Sequence, residues 1–318
     1  MDRGVWVITG GLGYIGQSVA WAVLARGRPV VLVDRQDRSP TLGGVPVVRG
    51  SVADPAVWEA VLAHGRPELV IHCAGLIVVS ESVRDPAAYY RENVVAGVAM
   101  LDHLRHLGPV PVVFSSSAAV YGHPVTVPIP EDAPKEPVTP YGATKWMFEQ
   151  VLAHYHQAYG LSWMALRYFN AAGSVGGIRE AHDPETHLMP RVAAALARGE
   201  APEVYGTHYP TRDGSAVRDF VHVADLAEAH LLAGEYLLAG GRPEAINLGS
   251  GRGVTVLEVV STFQRLLGRP IAPRRLPPRP GDPPVLVAAI ERARRVLGWE
   301  PRRTDLEAMA KEVLMSYV

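Results

Sequence analysis

Cysteine is nearly absent from the chain. Cys73 stands alone, so no intrachain disulfide can form and no cysteine cluster is available for structural zinc. That usage suits a reducing compartment, and a cytoplasmic location is expected. An excess of one charge is also missing: 31 Lys and Arg face 32 Asp and Glu, for a net charge of −1. No global field draws the protein to nucleic acid or to an anionic membrane, and neither is expected as a partner. Uninterrupted apolar runs stop short of the roughly 18 to 20 residues that span a bilayer. From Met1-Asp2-Arg3 the chain passes straight into a strand-like run, with no signal-peptide core or cleavage site, so export is not expected. The 12 histidines show no ligand spacing such as H-E-x-x-H, and no metal is assigned.

What the sequence does contain is an ordinary globular composition, 48% hydrophobic and 20% charged over 318 residues. That length exceeds a single hydrophobic core and points to one large α/β domain with a smaller companion. Strand-like runs at Val5–Thr9, Pro29–Val33, Pro46–Val48, Leu69–His72, Val110–Phe114 and Trp163–Tyr168 alternate with helical spacing at Gly13–Arg26, Asp85–Leu107 and Tyr141–Tyr159. Such alternation predicts a Rossmann-like, doubly wound parallel sheet. Beyond Asn170 the spacing loosens, with a helix near Met189–Arg198 and short strands around Val204 and Ile246, and a smaller C-terminal α/β lobe fits this part. We therefore expect domains over residues 1–169 and 170–318, with a segment near 218–248 a candidate for returning to the first. The tract Pro270–Pro284 holds seven prolines, too many for a helix or inner strand, and predicts an extended surface loop.

Between the first strand and first helix lies Thr9-Gly10-Gly11-Leu12-Gly13-Tyr14-Ile15-Gly16. Missing Cβ atoms there let the backbone approach a pyrophosphate, and free N–H groups at the helix N-terminus bind its charge. Asp34 ends the second strand, where a carboxylate accepts hydrogen bonds from an adenosine ribose and repels a 2′-phosphate. NAD is the expected cofactor rather than NADP, although Arg35 and Arg38 lie nearby. A second constellation is Tyr141-Gly142-Ala143-Thr144-Lys145, which puts a phenol and an ammonium on one helix face. The cation should lower the pKa of Tyr141, letting it exchange a proton with a hydroxyl, while Lys145 can also hold the nicotinamide ribose. Phe114-Ser115-Ser116-Ser117 closes the fifth strand, at the end where such sheets bind ligands.

Taken in order, these elements resemble the extended short-chain dehydrogenase/reductase superfamily, and Asn93 in Glu92-Asn93-Val94 matches its mid-domain asparagine. More narrowly, Thr9–Gly16, His72–Leu76, Glu81–Val83, Ser115–Gly122, Tyr141–Lys145, Arg167-Tyr168-Phe169-Asn170 and Val217–Val223 resemble UDP-galactose (UDP-glucose) 4-epimerases across almost the whole chain. The resemblance implies proton transfer by Tyr141 and Ser117 with Lys145 beside them. Tightly bound NAD would take a hydride from C4 of a UDP-hexose and return it to the other face of a transient 4-keto sugar. For the cofactor it implies Gly10, Gly13, Tyr14, Ile15, Gly16, Asp34, Val52, Ala74, Gly75, Asn93, Ser115, Tyr141, Lys145, Tyr168 and Phe169. For the substrate it implies Ser117, Tyr141, Asn170, His187, Leu188, Arg218, Arg279 and Asp282, with Tyr205 against uracil and Leu286 beside the C2 substituent of the sugar. It also implies a homodimer that pairs through the helices around Asp85–Leu107 and Tyr141–Tyr159.

Four positions depart from the family pattern. Gly50-Ser51-Val52 stands where Gly-Asp often supports adenine, Ile77 replaces a lysine, Glu92 replaces an asparagine, and His187 replaces an asparagine but can still donate to an oxygen. Ala118-Ala119 follow Ser117 where sugar-nucleotide dehydratases usually carry an acid, which argues against elimination. Epimerases of other UDP-sugars, pentoses or uronates, remain open, as do N-acetylated hexoses. A non-catalytic NAD-binding protein is the reading from a different class.

Overall fold

The structure, a computed structural model, describes residues 4–182, 185–279 and 281–317. Pro280, within the Arg279–Asp282 loop, lies outside them. Strands β1 (Val5–Thr9), β2 (Val30–Asp34), β3 (Val47–Arg49), β4 (Pro67–His72), β5 (Val112–Ser117) and β6 (Trp163–Tyr168) run parallel, with helices α1 (Tyr14–Ala25), α2 (Pro55–Leu62), α3 (Val79–Arg84), α4 (Pro86–Tyr90), α5 (Ala96–Leu107) and α6 (Pro140–Tyr159) between them. The remaining strands are β7 (Asn170–Ala172), β8 (Glu203–Tyr205), β9 (Val217–His222), β10 (Glu244–Leu248), β11 (Gly253–Thr255), β12 (Arg274–Leu276) and β13 (Val285–Leu286). Helices α7 (Leu188–Ala197), α8 (Val223–Leu238), α9 (Val256–Leu267), α10 (Glu291–Leu297) and α11 (Leu306–Leu314) complete the described chain.

Among the described residues the large sheet has seven strands in the order β10-β6-β5-β4-β1-β2-β3. Its strands are buried on both faces, which is why β1 reads as a continuous apolar run rather than an alternating one. Successive side chains still point to opposite faces: Trp6 and Ile8 join the core built with α1, α8 and α10, while Val5 and Val7 join the core built with α2, α5 and α6. The strand order turns back between β1 and β4, and the crevice beyond their C-terminal ends is where such sheets hold ligands.

The strand at Ile246, within the segment named as a candidate for returning to the first domain, belongs to this large sheet and pairs in parallel with β6. The lobe itself is built on β9, which pairs with β7, β11 and β13, and on a third core from α7, α9 and α11. The proline-rich tract also departs from a plain loop. Arg274–Leu276, the stretch between Pro273 and Pro277, pairs with β8 as a two-stranded ribbon, and Val285–Leu286, just after Pro284, pairs with β9. Proline limits both strands to these short, proline-free lengths.

Candidate active site

Local chemistry builds the glycine turn. Gly10 takes φ +65°, and a Cβ there would sit 2.6 Å from the Ala74 amide nitrogen. At Gly16 a Cβ would meet the Gly10 carbonyl at 2.2 Å, so neither position accepts a side chain. The turn delivers the N-terminus of α1 with no side chain capping it, leaving its first N–H groups aimed at the crevice. Asp34 Oδ2 accepts from the Leu12 amide and Oδ1 from the Gln36 amide, both at 2.9 Å, so the acid is fixed at the end of β2. Arg35 is held by Glu92 at 2.7 Å, and Arg38 donates to the Leu12 carbonyl. Both nearby cations are thus engaged within the protein.

These residues open on a cleft of about 650 Å³, lined on one side by Gly10, Gly13, Tyr14, Ile15, Gly16, Asp34, Val52, Ala74 and Gly75, and on the other by Ser117, Tyr141, Tyr168, Phe169, Asn170 and His187. The departures Ser51, Ile77 and Glu92 lie on the same walls. An uncapped helix end, a tight glycine cradle and a strand-end carboxylate fit a dinucleotide.

Three expected cofactor residues stand behind the wall instead of on it. Asn93 Oδ1 accepts from the Leu76 amide at 2.7 Å, and its Nδ2 donates to the Leu76 carbonyl at 2.9 Å and to Thr144 at 3.1 Å, so it braces the loop after β4 against α6. It sits in a single π-helical turn, Arg91–Val95, that interrupts the helical stretch expected from Asp85 to Leu107. The Ser115 hydroxyl meets His230 Nε2 at 2.9 Å and Cys73 Sγ at 3.1 Å. Lys145 Nζ donates to the Ser115 carbonyl at 2.9 Å, and burial pulls its pKa down to about 8.

Tyr141 faces the cleft beside Ser117. Burial raises the pKa of the phenol, and the neighbouring Ser117 hydroxyl works in the opposite direction. This reverses the expected lowering by Lys145. The ammonium lies 5.8 Å from the Tyr141 ring centroid and 4.9 Å from that of Phe114, committed to Ser115, while desolvation of the phenolate dominates. Behind this pair Glu149, one helical turn beyond Lys145, accepts from Ser116 and from the Arg167 guanidinium. Arg167 also donates to Tyr121 at 2.9 Å and to the Glu131 carbonyl at 3.0 Å. The sequence reading missed this buried network, although the i+4 step from Lys145 to Glu149 on one helix face was a visible signal.

The other expected substrate residues gather on the smaller lobe. The Arg279 guanidinium stacks 4.0 Å over the ring of Tyr205 on β8. Arg218 on β9 pairs with Asp282. Leu286, in register with Arg218, packs on the cluster that contains Phe169. Leu188 begins α7 directly after His187 and packs into the lobe core.

The fold and this site define an NAD-binding α/β protein with a Ser/Tyr/Lys centre. Residues 6–249 match the model of the NAD dependent epimerase/dehydratase family, and the chain belongs to that family. A UDP-glucose 4-epimerase of Halalkalibacterium halodurans is 40% identical over 96% of this chain and 93% of that protein. Among solved structures, the UDP-glucose 4-epimerase from Brucella ovis in complex with NAD is 40% identical, with a TM-score of 0.94 over 99% of this chain and 98% of the other. The enzyme from Bifidobacterium longum in complex with NAD+ and UDP is 34% identical, with a TM-score of 0.89 over 98% and 97%.

Proposed function

We propose that this chain reversibly inverts C4 of UDP-glucose and UDP-galactose, using tightly held NAD and a transient 4-keto sugar. The observation that carries the reading is that Ser117 and Tyr141 line the same cleft as the glycine cradle, with Lys145 buried and bonded to the Ser115 carbonyl. When bound, NAD would supply the hydride acceptor and donor. Tyr141 takes the proton from the C4 hydroxyl and gives it back. Ser117, in the cleft lining with that phenol, relays or holds the proton. Lys145 anchors the strand end through the Ser115 carbonyl, and its remaining N–H donors would serve the nicotinamide ribose.

Asn170, His187, Leu188, Arg218, Arg279 and Asp282 hold the UDP group in this reading, because a planar guanidinium grips phosphate oxygens in pairs. Tyr205 receives uracil and Leu286 lies beside the sugar's C2 substituent, with room for weaker turnover of UDP-N-acetylhexosamines. Residues 1–169 form the NAD-binding domain and 170–318 mainly the UDP-sugar domain. The segment near 218–248 returns to the first domain, which the place of β10 supports. Two copies pair through α3 to α6, supported by the exposed Val83, Val95 and Met147. Among the described residues no helix is long and apolar enough to cross a membrane, and a cytoplasmic location agrees with the lone cysteine.

Denaturing the purified protein should release NAD, and UDP-galactose should epimerise without added cofactor, with UDP-N-acetylgalactosamine and UDP-arabinose assayed in parallel. Absence of any released dinucleotide together with a strict need for NADP would overturn the reading.

A further inference from the structure

The loop between β7 and α7 brings together three side chains that neither the fold nor the proton-transfer centre requires. One ligand atom each from Glu180, His182 and His187 lies within 4.8 Å of the others. Glu180 Oε1 meets His182 Nδ1, Glu180 Oε2 stands 3.6 Å from His187 Nδ1, and the two imidazole centroids are 5.5 Å apart. All three line the cleft and are half-buried. A tetrahedral ion with bonds of about 2.0 to 2.2 Å holds its ligand atoms roughly 3.3 to 3.6 Å apart, so small side-chain rotations close the set.

The surroundings add what bare ion pairs would not need. Glu185 Oε1 accepts from both the backbone N–H of His187, at 2.7 Å, and its Nδ1, at 2.8 Å. With Nδ1 held by Glu185, His187 offers an ion Nε2, and a carboxylate on the other ring nitrogen is the arrangement that orients a metal-binding histidine and raises its basicity. Glu185 Oε2 is buried with no hydrogen-bond partner among the described residues, an oxygen whose desolvation nothing offsets.

We propose that Glu180, His182 and His187 form a binding site for one transition-metal ion of the zinc class at the mouth of the cleft, with Glu185 supporting His187. Two imidazoles and a carboxylate select zinc, nickel or cobalt over magnesium and calcium, which prefer oxygen alone. The E-x-H-x-x-x-x-H spacing matches no standard ligand motif, which is why the sequence did not reveal it. The ion ties the start of the loop to the cap of α7 and so fixes His187 against the cleft.

The test uses the NAD-containing protein, stripped with a chelator, dialysed and titrated with Zn2+ against a chromophoric competitor. It reads metal binding without turnover, so its outcome is separate from that of the substrate reading. One zinc per chain is expected, with no binding of Mg2+. His182→Ala should weaken zinc at least about 100-fold, whereas His64→Ala, an exposed histidine elsewhere, should change nothing. The isosteric Glu180→Gln carries the same test if His182→Ala melts lower without metal. Substoichiometric zinc, or equal affinity in wild type, His182→Ala and Glu180→Gln, would overturn the site.

Discussion

In the proposed mechanism Tyr141 loses and regains a proton inside a buried wall, and its environment sets how far the protein alone can help. Burial holds the phenol neutral and Ser117 offsets this in part, so a positively charged cofactor held in the cleft would favour the phenolate. Tyr141→Phe should therefore keep the fold and its NAD but lower turnover by at least about 100-fold, and Ser117→Ala should cost less. Steady-state rates on UDP-galactose, with the released cofactor quantified, decide this; near-wild-type turnover removes Tyr141 from the mechanism. Leu286 invites a second substitution. It is half-buried beside the Phe169 cluster and offers no hydroxyl to a sugar. Overpacking a filled pocket costs about 1 to 3 kcal/mol, so Leu286→Tyr should cut turnover of UDP-N-acetylglucosamine roughly 5- to 150-fold and barely alter UDP-galactose. Equal losses on both sugars would mark Leu286 as a loop anchor. At this scale Tyr141, Ser117 and Asp34 were legible because motif and element order sufficed to place them. The effect of Lys145 was not, since its commitment to the Ser115 carbonyl comes from packing that no spacing encodes.

Among the elements, α6 is the platform of the site. Thr139 caps it by accepting from the Gly142 amide at 3.2 Å, Pro140 opens it, and Gly160 ends it with φ 72°. Stop and start signals of that kind explain why the helix could be read from sequence to within a residue. The π-helical turn at Arg91–Val95 could not, because its extra residue per turn serves to aim Asn93 at Leu76 and Thr144, a tertiary demand. What locks α6 to β6 is the buried Arg167–Glu149 pair, with side chains 4% and 2% exposed. Removing one member of such a pair leaves the other charged and unpartnered, at a cost of about 3 to 5 kcal/mol. Arg167→Ala should lose stability by that amount in urea unfolding of the NAD-containing protein. A loss under 1 kcal/mol would mean that water or a rearranged partner replaces the guanidinium.

Across the whole molecule, the sheet is finished by a strand that arrives late. The chain builds six strands in order, crosses to the lobe through β7 to β9, and returns through α8 to lay β10 beside β6. Local spacing near Ile246 announced a strand and left its sheet open between the lobe and a return to the first domain, because a five-residue buried run reads the same in either place. The return leaves α8 and α10 on one face of the sheet and α5 and α6 on the other, and on that second side α3, the π-helical turn and α6 carry apolar side chains out to solvent. Val83 and Val95 are each 62% exposed, Met147 43% and Tyr159 57%, on helices that already pack against one another. Scattered apolar exposure is ordinary, but several such residues on adjoining helices mark a surface meant to be covered. A two-fold axis through this face would let each copy cover the other with the same patch, burying the roughly 800 Å² per partner that a stable pair requires. Light scattering at micromolar concentration should give twice the 34.3 kDa chain mass. Met147→Glu, which puts a charge into the centre of such an interface, should shift the mass toward the monomer while leaving NAD bound. A monomeric wild type, or a Met147→Glu protein that still scatters as a dimer, would place the partner, if any, on another face.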